Sequence, residues 1–126
     1  MRVLFVEDEP AQQESLSTML RVMGFTVLQA TDVEEAIQLL DEDFDAAILD
    51  IKMPDPKLLS RDGLTVLQHL RERHPHVIVA VFTGQPLSEE EARFARRHRA
   101  TVMYKPQTYD VLIHFLSKLA PSTQLP

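Results

Sequence analysis

The chain has 126 residues, room for one domain with a hydrophobic core that needs no covalent staples. It carries 13 Lys and Arg against 19 Asp and Glu, and a net charge of −6 argues against a generic nucleic-acid binder. Cysteine is absent, which excludes disulfide frameworks, cysteine-based zinc sites and thiol nucleophiles, and no apolar run approaches the ~18 residues of a membrane helix.

A short apolar run followed by a longer amphipathic stretch recurs five times along the chain. Val3–Val6 is the first run. Pro10 suits an early helical position, and Leu16, Met19, Leu20 and Met23 follow at helical spacing as a buried side, with Gly24 placed to end the helix. Phe25–Leu28 is the second run. Thr31 or Asp32 caps the next helix, with Glu34 or Glu35 as its capping-box partner, and Ala36, Ile37, Leu39 and Leu40 face inward. Ala46–Leu49 is the third run and stops at Asp50. A loop rich in proline and charge leads to a third helix, from about Gly63 to Arg73, that buries Leu64, Val66, Leu67 and Leu70. Val77–Phe82 is the fourth run. Ser88 with Glu91 reads as a capping box that opens a helix to about His98. Val102–Tyr104 is the last run, and Val111, Leu112, Phe115, Leu116 and Leu119 make a fifth amphipathic helix.

Runs of continuous apolar residues suit strands covered on both faces, the habit of parallel sheets flanked by helices. Five such units predict a doubly wound α/β sandwich whose active crevice lies at the carboxyl ends of the strands. Function therefore turns on what those ends carry. They carry Glu7 and Asp8, Asp50, Thr83 and Lys105. Three carboxylates raise one another's pKa unless a cation sits among them. Without cysteines or a convergent histidine pair, that cation is hard and oxygen-liganded, with Mg²⁺ the leading candidate. An ammonium and a hydroxyl opposite it suit a phosphoryl group.

These residues, in this order, resemble the receiver domain of two-component response regulators. Asp50-Ile-Lys-Met-Pro resembles the family's phosphoacceptor segment, and Asp62-Gly63-Leu64 resembles the start of its third helix. The resemblance runs from Val3 to Leu119 and implies a flavodoxin-like (βα)5 sandwich, a five-stranded parallel sheet in the order 2-1-3-4-5. Asp50 would be the phosphoacceptor. Asp8 and Asp50 would bind Mg²⁺ directly, the backbone carbonyl of Lys52 would join them, and Glu7 would reach the metal mainly through water. Thr83 and Lys105 would each bind a phosphoryl oxygen. A cis bond is expected before Pro106. The implied partners are a sensor histidine kinase or a phosphotransfer protein as donor, and an output partner or second copy on the fourth helix, fifth strand and fifth helix. Neither direct nucleic-acid binding nor membrane binding is expected, and the implied location is cytoplasmic. Such a protein is a phosphoacceptor that assists its own phosphorylation and dephosphorylation rather than an enzyme.

The chain departs from the family's pattern in three places. Seven residues, Asp55–Arg61, stand where two are usual. Val102 occupies the usual position of the switch aromatic. Arg99-Ala100-Thr101 lacks the usual Gly-Ala. A second reading keeps the fold and drops the chemistry, giving a pseudo-receiver that acts as a phosphorylation-independent interaction module. A flavin carrier is disfavoured because Glu7-Asp8-Glu9 would repel its phosphate. A dehalogenase-type phosphatase is disfavoured because Lys52 replaces its second acid. The receiver domain is expected over 1–120, with 121–126 a tail or truncated linker.

Overall fold

Alternation along the strands builds the fold, because neighbouring apolar residues on one strand point to opposite faces of a sheet. The computed structural model of the chain describes residues 1–50, 62–84, 86–104 and 114–116. Strands β1 (Arg2–Val6), β2 (Thr26–Ala30), β3 (Ala46–Leu49), β4 (Ile78–Thr83) and β5 (Ala100–Tyr104) pair in parallel in the order β2-β1-β3-β4-β5. This is the sheet that the sequence predicts. Four helices connect the strands: α1 (Pro10–Val22), α2 (Val33–Leu39), α3 (Asp62–Arg73) and α4 (Glu89–Arg97).

Each face of the sheet has its own core. Leu4 and Val6 of β1, Ala47 and Leu49 of β3 and Val79 of β4 pack with Ala36, Leu40, Val66, Leu67 and Leu70 from the α2 and α3 side. Val3, Phe5, Ala46, Ile48, Ala80, Phe82 and Met103 face the other way, against Leu16 and Leu20 of α1 and Leu116. Residues 114–116 are helical, and the rest of the expected fifth helix lies outside the described residues. So do Asp55–Arg61 and 121–126.

Local signals account for the helix ends. Glu9 caps α1 by accepting the Ala11 N–H, and Pro10 opens the helix where a missing N–H is harmless. At the other end Gly24 adopts φ +97°, and the Gly24 and Phe25 N–H groups return to the Arg21 and Leu20 carbonyls. That pair of bonds is a Schellman motif, which favours glycine because a Cβ would be strained at this φ. Asp32, rather than Thr31, caps α2. Ser88 and Glu91 form the expected capping box.

One expectation needs correction. Met23 is not in the core: it is the C-cap of α1 and 45% exposed, because the chain turns away there. His74, in the connection just after α3, is half-buried. Its Nε2 lies 2.7 Å from the Leu40 carbonyl and its ring packs 4.5 Å from that of Phe44. Met19 is half-buried, as its place on the inner side of α1 suggests.

Arg71, at the end of α3, ties together two connections at the end of the sheet where the strands begin. Its guanidinium donates to the carbonyls of His98 (2.8 Å), Val77 (2.6 Å), Pro75 (3.1 Å) and His74 (3.3 Å). Burial, and then the neighbouring Arg99 guanidinium, lower its pKa from the ordinary arginine value. Arg99 also donates to the Pro75 carbonyl, at 3.1 Å. Arg99 has φ 57°, a left-handed turn that residues other than glycine rarely take, and β5 begins at the next residue. We expect Arg71→Met to lower the unfolding free energy by about 2 kcal/mol in urea titrations. Arg71→Lys should recover less than half of that, because one ammonium cannot span four carbonyls. Wild-type stability in either variant would contradict the tie.

Candidate functional site

The strand order reverses between β1 and β3, and that is where the acids meet. Val6 pairs with Leu49, and the Asp50 N–H continues the ladder to the Val6 carbonyl at 3.1 Å. Glu7 and Asp50 therefore leave adjacent strands at the same level. On the other side of β1, the Glu7 N–H donates to the Ala30 carbonyl at 3.0 Å. Backbone pairing on both sides thus fixes where Glu7 leaves the sheet.

One carboxylate oxygen from each of Glu7, Asp8 and Asp50 can be chosen so that all three lie within 4.8 Å of one another. Glu7 is 2% and Asp50 7% exposed, while Asp8 is half-buried. The Glu7 carboxylate also accepts the Glu9 N–H at 3.4 Å. Three anionic oxygens this close repel strongly in a partly desolvated pocket. The donor set is all oxygen, and its spacing fits a hard divalent cation. Thr83 is the last residue of β4 and fully buried, one strand over from Asp50. The structure thus brings together Glu7, Asp8 and Asp50, and puts Thr83 at a neighbouring strand end. Lys52, Lys105 and Pro106 lie outside the described residues.

Sequence reading missed two buried polar side chains on α1. Gln13 and Ser17 sit on its inner face beside Leu16 and Leu20. The Gln13 amide donates to the carbonyls of Glu7 (3.1 Å) and Ala30 (2.9 Å), and Ser17 donates to Gln13 Oε1 (3.2 Å). A polar pair spaced four apart on an otherwise apolar stripe was the available signal. On β5, Val102 is half-buried opposite Val81. Tyr104 pairs with Thr83, lies on the same face of β5 as Val102, and is 40% exposed.

A family model described as the response regulator receiver domain matches residues 3–117. The chain belongs to this family. Among solved structures, a CheY-like receiver domain protein from Methanospirillum hungatei superposes with a TM-score of 0.81 at 27% identity, covering 98% of this chain and 94% of that one. The response regulator TrrA of Thermotoga maritima, solved in complex with Mg(2+)-BeF, gives 0.78 at 26% identity, covering 94% and 98%. The transcriptional regulatory protein CpxR of Klebsiella pneumoniae is 33% identical over 78 residues, 62% of this chain and 32% of that protein. The chain spans about a third or less of the length of the curated relatives it matches. It is thus a receiver domain of the two-component kind. Among the described residues, no helix is long and apolar enough to cross a membrane.

In a receiver whose acids repel, neutralising one of them should stabilise the fold. We expect Asp50→Asn to raise the unfolding free energy in chelator by about 1 kcal/mol, read from urea titrations. A less stable variant would mean that attraction to neighbouring groups outweighs the repulsion.

Proposed function

We propose that this receiver is a phosphorylation-dependent switch in which Asp50 is the phosphoacceptor. The observation that carries the reading is the meeting of Glu7, Asp8 and Asp50 oxygens within 4.8 Å at the point where the strand order reverses. The Asp50 carboxylate attacks the donor's phosphorus, an O–P bond forms on Asp50, and the bond from phosphorus to the donor breaks. The donor is a phosphohistidine on a sensor kinase or phosphotransfer protein, or a small acyl phosphate. Glu7, Asp8, Asp50 and the backbone carbonyl of Lys52 would hold Mg²⁺, which when bound offsets the carboxylate charge and that of the transferring group. The complex of TrrA with Mg(2+)-BeF supports the choice of metal.

Thr83 donates its hydroxyl to one phosphoryl oxygen, and Lys105 pairs with another through its ammonium. A cis bond before Pro106 would aim that ammonium inward. The reaction stops at a covalent protein, so the chain accepts a phosphoryl group and later loses it to water rather than turning over a substrate. Phosphorylation then alters binding of an output partner or second copy at α4, β5 and the fifth helix. Arg93, Arg96 and Arg97 are exposed there, and Tyr104 lies on β5. The domain would occupy 1–120 and act in the cytoplasm.

Incubation with acetyl phosphate and Mg²⁺ should add the mass of one phosphoryl group. Chelation and Asp50→Asn should each abolish the gain, and Thr83→Ala should slow it by about 10-fold or more. No gain on the parent, from acetyl phosphate or a donor kinase, together with no uptake of Mg²⁺, would favour the pseudo-receiver instead.

A further inference from the structure

We propose that Gln13 is a positioning residue that holds the Glu7–Asp8 peptide and thereby sets the affinity of the acidic site for Mg²⁺. The inference rests on the phosphoacceptor reading and adds a residue outside the acids themselves. Gln13 is buried on α1 and uses its whole amide: Nε2 donates to the Glu7 carbonyl at 3.1 Å and the Ala30 carbonyl at 2.9 Å, while Oε1 accepts from Ser17 Oγ at 3.2 Å. Ser17 Oγ in turn accepts from Gln29 Nε2 at 2.7 Å. A flipped amide would set Oε1 against two carbonyl oxygens and Nε2 against the Ser17 hydroxyl. The network therefore fixes one orientation.

The consequence for the site follows from which peptide is held. The Glu7 carbonyl belongs to the peptide unit joining Glu7 to Asp8, and its direction fixes the plane from which the Asp8 side chain departs. Ala30 anchors this segment twice, directly through the Glu7 N–H at 3.0 Å and indirectly through Gln13. Without the amide, the Glu7 N–H stays paired with Ala30 while the following peptide loses the bond from Gln13. Two acids on successive residues then hold their mutual geometry less well, although neither has been altered. Outer groups that orient metal-binding side chains commonly change affinity by about 10–100-fold when removed.

The test is calorimetric titration of the intact chain with Mg²⁺ alone, beside backbone amide spectra recorded in chelator. Gln13→Met keeps the length of the side chain and removes both donors. We expect it to weaken Mg²⁺ binding about 10-fold and to shift the Glu7, Asp8 and Glu9 amide resonances in the metal-free protein. Ser17→Ala leaves the donors and removes the hydroxyl that orients them, so it should weaken binding about threefold, and it carries the test if Gln13→Met fails to fold. Leu70→Ala, in the opposite core, should lower the melting temperature and leave the affinity within twofold of the parent. Gln13→Met binding Mg²⁺ within twofold of a parent that binds it would overturn the positioning role alone. A parent that takes up no Mg²⁺ would overturn the phosphoacceptor reading and this inference with it.

Discussion

Carboxylates repel, and a chain that gathers three of them must hold them there by other means. Here the means is the pairing of β1 with β3, two strands buried on both faces whose backbone bonds continue to Asp50. Burying apolar side chains stabilises by about 25 cal/mol per Å², and the two cores flank both strands along their length. Against that, charge repulsion at one end of the sheet is a local penalty. The fold tolerates the cluster because the acids sit beyond the last strand residues, past the two cores, and Asp8 is only half-buried.

The two ends of the sheet differ in kind. At the carboxyl ends, strand pairing brings three acids together beside the end of β4, which carries a buried threonine, and backbone groups are held by a glutamine amide. At the opposite end, carbonyls left over by turns are gathered by Arg71 and Arg99. One end gathers carboxylates and the other is closed by guanidinium groups.

Much of this was legible in the sequence, for identifiable reasons. Apolar runs such as Ala46–Leu49 read correctly as strands because both of their faces are buried. The acids were legible because Glu7 and Asp50 directly follow such runs and Asp8 comes next after Glu7. Met23 was misread because helical spacing continues through a residue that serves as a cap, and only the turn at Gly24 reveals the exposure. The burial of His74 carried no signal in the sequence, because its partner carbonyl lies 34 positions away in the chain. Gln13 and Ser17 were passed over because polarity on a helix usually signals solvent. Their partners, the Glu7 and Ala30 carbonyls, come together only when β1 and β2 pair. Arg99 shows the reverse case, since the sequence lacks the usual glycine there and the backbone takes the left-handed turn with a side chain in place.

The reach of Arg71 has a consequence for where this chain can change length. One guanidinium serves the α3–β4 and α4–β5 connections together, so lengthening either would strand carbonyls that now share a donor. The connection after β3 lies outside the described residues, and there the sequence carries seven residues where the receiver family usually has two. Fusion of a reporter or grafting of a recognition loop is therefore poorly placed in either of the two connections that Arg71 ties. The same graft between α3 and β4 would unpick two turns at once.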